Sequence, residues 1–268
     1  KNPLTFKIVS VGRETPVKKA AALTTSHKDL ANELWFLGLY DEASPELEAT
    51  LKAEQKIGKT KTDLDYTLAD VYRRGDMANR AASFIEPIWK VPADYQMELM
   101  PDNVLQMLYP IPYADALRKS AAPRDVDPRF LLSIMRQESR FRSDAKSYAA
   151  ARGLMQFISS TADRIAGELG RDNFRQDELY DPSTAVLFGS QYVSDLQKFF
   201  PNQLPAVAAS YNGGEDNMMR WLARSKTDLA DRYIPEVGFS QSKDYVYRVM
   251  TNYRMYQMLY DEDLKRLK

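Results

Sequence analysis

Cysteine is absent from the 268 residues, and histidine occurs once, at His27. The first absence excludes disulfides and thiolate metal sites. The second argues against a histidine-dependent nucleophile or a histidine-rich metal centre. His27 precedes an apolar run in the N-terminal third and reads as a surface residue. No run of about eighteen apolar residues occurs, so nothing reads as a bilayer-spanning helix. Neither sign of charge is in excess: 37 basic and 37 acidic residues give a formal net charge of zero. That leaves no overall electrostatic footprint for nucleic acid or an anionic membrane. No cofactor, metal or nucleic-acid partner is expected.

What remains is an ordinary globular composition, 44% hydrophobic and 28% charged. The length suits one large domain or two modest ones with a sizeable core. The chain opens on Lys1 rather than Met, which points to processing or trimming. Any signal peptide or lipid-anchoring cysteine would lie outside this sequence.

The stretch from Asp127 to Gln156 organises the rest. Asp127-Pro128 reads as a helix start: the aspartate caps free N–H groups, and proline sits where no N–H is missed. Leu131, Ile134 and Met135 recur at helical spacing and form one apolar stripe. Glu138 is the next position on that stripe. A carboxylate on a buried face is costly to ionise unless paired, so its pKa should be raised. A carboxylic acid still protonated near neutral pH can serve as a general acid. The competing reading is structural: Glu138 pairs with Arg136, Arg140 or Arg142 and holds the fold, since ion pairs also perturb pKa values.

Three further blocks follow. They are Ala151-Arg152-Gly153-Leu154-Met155-Gln156-Phe157, Ala209-Ser210-Tyr211-Asn212-Gly213-Gly214 and Tyr245-Val246-Tyr247-Arg248-Val249-Met250. With the Glu138-Ser139 pair, and in this order, they resemble the soluble lytic transglycosylases with a goose-lysozyme-like catalytic domain. The resemblance covers roughly residues 108–260. It implies an enzyme that cleaves peptidoglycan glycan strands and resides in the periplasm or cell envelope of a bacterium.

Glycoside cleavage usually takes two carboxylates, and no second acid stands beside Glu138 in these blocks. The resemblance implies that Glu138 protonates the bond between N-acetylmuramic acid and N-acetylglucosamine while the substrate's acetamido group supports the ring carbon. Glu138 then returns as base for the 6-hydroxyl, leaving a 1,6-anhydro end. It also implies a substrate-binding set of Ser139, Ser147, Gly153, Met155, Gln156, Tyr211, Asn212 and Tyr245. Gly153 allows a turn close to substrate, Met155 and Gln156 face the groove, and the Tyr245 hydroxyl reaches Glu138. Gln156 offers donor and acceptor to acetamido and hydroxyl groups. Met155 as a core filler, Asn212 as a C-cap and Tyr245 as packing remain the structural alternatives. Tyr192 reads as core.

The sequence departs from the family at Ser143 (commonly proline), Ala150 (glycine), Ala185 (asparagine) and Gln241-Ser242 (Glu-Thr). The first two should reshape the loop after the catalytic helix, and Gln241 removes a charge near Tyr245. A hydrolase on the same fold is one alternative, with Glu215 or Glu236 activating water. A non-catalytic glycan-binding scaffold is another.

The fold class reads as all-α. Residues 1–112 are expected to form a helical-hairpin, solenoid-like region offering a surface for a protein partner, and residues 113–268 the lysozyme-like catalytic domain. In the first region helices are expected from His27 to about Gly38, from Glu46 after Ser44-Pro45, over Leu64 to Tyr72, and over Ala78 to Trp89. Leu4 to Val11 has partial alternation and reads as a short strand or extended arm. Tyr109-Pro110-Ile111-Pro112-Tyr113 marks the boundary. Past it, Phe141 to Arg152 reads as loop and Ser159 or Ser160 as a cap. Helices open at Asp181-Pro182 and Pro205, and a long one ends the chain.

Overall fold

The computed structural model describes residues 26–56, 62–89 and 99–267; the expected N-terminal strand lies outside them. Thirteen α-helices are found among the described residues, with isolated β-bridges but no strand ladder. The all-α expectation holds.

The first five helices are α1 (His27–Phe36), α2 (Tyr40–Lys56), α3 (Thr62–Arg74), α4 (Ala78–Ile85) and α5 (Asp102–Leu108). Each packs on the next, as a hairpin array does. Ala43, Leu47, Leu51, Leu68, Val71, Tyr72 and Ala81 bury their side chains together between α2, α3 and α4. Helix α2 corrects the expected start at Ser44-Pro45: it begins at Tyr40 and runs through Pro45. The missing N–H of Pro45 would have bonded the Asp41 carbonyl, and the Ser44 hydroxyl donates to that oxygen instead, at 3.1 Å. His27 is exposed at the start of α1 and meets Glu46 at 2.5 Å.

Eight helices follow: α6 (Ala114–Ala121), α7 (Pro128–Ser139), α8 (Ser159–Glu168), α9 (Pro182–Phe199), α10 (Leu204–Gly213), α11 (Glu215–Ser225), α12 (Ala230–Tyr233) and α13 (Ser240–Leu259). Helix α7 is the hub. It lies against α13, α9 and α6, and its Phe130, Leu131, Leu132, Ile134 and Met135 are all fully buried. Asp127 caps it by accepting from the Arg129 N–H at 2.8 Å, and the Tyr253 hydroxyl on α13 donates to the same carboxylate. Asp181 caps α9 in the same way through Thr184. Ser159 and Ser160 do not cap α8: Ile158 takes that position, and no side chain satisfies the first turn.

The Tyr109–Tyr113 segment lies between α5 and α6, yet the apolar core does not stop there. Ala69 and Ile85 belong to the cluster that contains Leu131 and Ile134. A part-buried ion pair crosses the same junction, with Arg136 of α7 donating to Glu86 at 2.7 Å. The helical hairpins thus buttress the back of α7.

Candidate active site

Glu138 sits in the last turn of α7, which closes with Arg140 and Phe141 both in the left-handed conformation, at φ 48° and 65°. This sharp exit sends the chain back across the end of the helix. The return is fixed by the Ser139 hydroxyl, which donates to the Leu154 carbonyl at 2.9 Å and to Met135 O at 3.3 Å. Glu138 is half-buried. Desolvation raises its pKa from 4.5 to about 7, against the opposing effect of a hydrogen bond from Tyr245. That bond runs from the Tyr245 hydroxyl on α13 to Glu138 Oε1 at 2.6 Å.

The three arginines that would make Glu138 a structural ion-pair partner all point elsewhere. Arg136 and Arg140 reach Glu86, at 2.7 and 3.3 Å, and Arg142 lies 3.6 Å from Asp144. Glu138 therefore has a tyrosine as its polar partner and no cation. The C-terminal end of α7 also disfavours a negative charge. Its charge is felt by Tyr211 and Tyr245, whose phenols are pushed well up, first by burial and then by the nearby carboxylate.

The segment from Phe141 to Arg152 is a loop, as expected, and it runs on to Phe157, folded back on itself through bridges between Lys146 and Arg152 and between Arg152 and Phe157. Gly153 stands at φ 72°, and a Cβ there would lie 1.9 Å from the Leu179 carbonyl. Both the conformation and the close approach require glycine. Ser147 Oγ accepts from the Ala151 N–H at 3.1 Å, so its visible work is to fold the loop tip. Ala150, at φ 60°, occupies a left-handed position with an alanine side chain. This is the position where the family commonly has glycine, and the strain comes with the substitution.

Met155 does not face outward: it is 1% exposed and packs against Gly189, where a Cβ would come within 2.6 Å of its Cε. Its backbone carbonyl is what reaches the site, accepting from the Tyr211 hydroxyl at 2.8 Å. Gln156, at φ 51°, spends its amide N–H groups on the loop, donating to Gly153 O at 2.9 Å and Ala145 O at 3.2 Å. Of the donor and acceptor expected from it, only the amide oxygen remains free. Asn212 closes α10 and accepts from Ser242 at 2.8 Å. A serine hydroxyl thus occupies the position where the family commonly has threonine.

Sequence reasoning passed over two contributors. Tyr192 is core, as expected, at 6% exposed. Its ring also lies 5.2 Å from Tyr211, and its hydroxyl faces Glu215 at 3.4 Å. Glu215 thus joins the far side of the tyrosine cluster, whereas Glu236 pairs with Arg224 in a surface turn. Ser242 is the other, visible only through its partner on α10.

Residues 115–234 match the model of the transglycosylase SLT domain. A putative soluble lytic murein transglycosylase of Haemophilus influenzae is 29% identical over 162 residues, covering 60% of this chain and 27% of that protein. The membrane-bound lytic murein transglycosylase C of Actinobacillus pleuropneumoniae is 34% identical over 149 residues, covering 52% and 39%. Among solved structures, the 70 kDa soluble lytic transglycosylase of Escherichia coli has the same fold, with a TM-score of 0.68 at 22% identity, over 91% of this chain and 37% of that one. The chain spans less than half the length of each of these proteins. Residues 115–234 thus carry a transglycosylase SLT domain, and the chain is similar to the SLT-type lytic transglycosylases.

Proposed function

We propose that the chain cleaves the β-1,4 bond between N-acetylmuramic acid and N-acetylglucosamine in peptidoglycan strands, leaving 1,6-anhydro ends. One observation carries this reading: Glu138 is desolvated, has no cationic partner, and has a pKa of about 7. A group in that state holds its proton part of the time near neutral pH and is suited both to give a proton and to take one back.

Glu138 first protonates the glycosidic oxygen as the bond to the ring carbon breaks. The substrate's acetamido oxygen supports the positive charge on that carbon. Glu138, now ionised and held by Tyr245, then accepts the proton of the 6-hydroxyl as its oxygen closes on the ring carbon. No water is consumed, and the carboxyl returns to its starting state. The tyrosine hydroxyl stabilises the carboxylate formed between the two steps.

Ser139, Ser147, Gly153, Gln156, Tyr211, Asn212 and Tyr245 frame the strand in this proposal, and Met155 contributes through its backbone. Hydrolysis by a second carboxylate is less well supported, because Glu215 faces Tyr192 and Glu236 pairs with Arg224. We place the catalytic unit in residues 113–268, with residues 1–112 supporting it and offering a surface for a protein partner. The substrate places the protein in the periplasm or cell envelope. Incubating purified sacculi with the protein and with its Glu138→Gln variant tests the reading. Soluble fragments should appear only with the former, and equal release by both would refute it.

A further inference from the structure

A second polar pocket lies on the outer seam between α7 and α13. It measures about 300 Å³ and is lined in part by Glu86, Arg136, Gln137, Arg140, Arg248 and Asn252. Three guanidinium groups meet a single carboxylate there. Glu86 accepts from Arg136 at 2.7 Å and lies 3.3 Å from Arg140, so one negative charge is shared between two cations. Three arginines less one glutamate leave two positive charges uncompensated in the lining.

The remaining polar groups are unengaged. Among the described residues, the side chains of Arg248, Gln137 and Asn252 make no hydrogen bond or ion pair, and Asp244, one turn before Arg248, does not pair with it. The Arg136 Nε–H is buried with no acceptor, while its guanidinium stacks over the Tyr109 ring at 4.9 Å. Buried donors are normally satisfied, and arginine forks around a hollow match the two oxygens of a carboxylate. The pocket shares both of its helices with the Glu138–Tyr245 pair: Gln137 precedes Glu138, and Arg248 follows Tyr245 by three residues.

We propose that this pocket is an anion subsite that takes a carboxylate of the acidic peptide carried by the glycan strand. The proposal rests on the reading of the chain as a peptidoglycan-cleaving enzyme, whose substrate bears peptides with free carboxylates on its muramic acid units. Arg248 and Arg140 supply the exposed forks, and Gln137 and Asn252 the neutral donors. Arg136, held by Glu86, fixes the floor of the pocket.

The test is calorimetric titration of the full chain with a free acidic stem tetrapeptide and with the same peptide after its carboxylates are converted to amides. Charge-assisted bonds at this strength predict that the acidic peptide binds at least about tenfold tighter. Arg248→Gln should abolish that preference, and Arg248→Lys should restore part of it. Arg248 is exposed and unpaired, so both variants should fold normally. Equal binding of the two peptides, or a preference that survives Arg248→Gln, overturns the proposal. Cleavage of intact sacculi, measured in parallel, separates this from the catalytic reading. No fragment release together with a retained, Arg248-dependent preference would refute the activity and leave the subsite standing.

Discussion

Replacing Glu138 by glutamine should change stability in a pH-dependent way whose sign separates a desolvated acid from an ion-pair partner. Burial raises the folded-state pKa from 4.5 to about 7. The folded protein therefore holds this proton more tightly than the unfolded chain does. Stability tied to it is complete below pH 4.5 and is lost as pH rises through 7. A shift of that size corresponds to at most about 3.5 kcal/mol, at roughly 1.4 kcal/mol per pKa unit. Partial exposure of the side chain lowers this to about 2 kcal/mol. Glutamine accepts from the Tyr245 hydroxyl and cannot ionise, so it escapes the loss. The variant should melt close to the wild type at pH 5 and some 4–8 °C above it at pH 8, at roughly 2–4 °C per kcal/mol. Thermal unfolding followed by circular dichroism at both pH values gives the comparison. If Glu138 were a salt-bridge partner the sign would reverse, and the variant would melt lower at pH 8. That outcome would refute the reasoning.

Three other substitutions probe the surroundings of the site. Tyr245→Phe removes a bond that stabilises the carboxylate, worth roughly 1.5–3 kcal/mol, so the alkaline limb of the kcat/KM profile should move up by about one to two pH units; an unmoved limb would exclude the contact from catalysis. Gly153→Ala drives a Cβ into the Leu179 carbonyl and should cost at least about 2–3 kcal/mol in denaturant unfolding, with loss of activity. Glu86→Gln leaves the largely enclosed Arg136 beside no full negative charge, and calorimetry should record a loss of roughly 1.5–3 kcal/mol. An unchanged transition there would mean that the hairpins do not brace α7.

The parts of this fold that were legible in the sequence are those written in local chemistry. Asp127-Pro128 and Asp181-Pro182 cap their helices as the residue types demand. The apolar stripe that carries Glu138 needs only the helical repeat. Helix α11 escaped because it buries only Met218 and Trp221, too few positions to show a period. Helices α5 and α6 are seven and eight residues long and lie beside the proline-rich segment that marks a break. Pro45 read as a helix start because the sequence cannot show a serine hydroxyl taking over the orphaned carbonyl. In the site, the roles that depend on distant partners were out of reach. Gln156 is turned inward by the carbonyls of Ala145 and Gly153, and Met155 by the space over Gly189. That Arg136 and Arg140 serve Glu86 rather than Glu138 follows from a helix some fifty residues upstream. This long-range pairing leaves the Glu138 carboxyl without a cation.

In the proposed reaction Glu138 acts twice and no water enters. Mass spectrometry of fragments released from sacculi by the purified protein examines it directly. Muropeptides ending in 1,6-anhydro-N-acetylmuramic acid are expected, and none from the Glu138→Gln variant. Fragments heavier by one water, with reducing ends, would show that a hydrolase stands in its place.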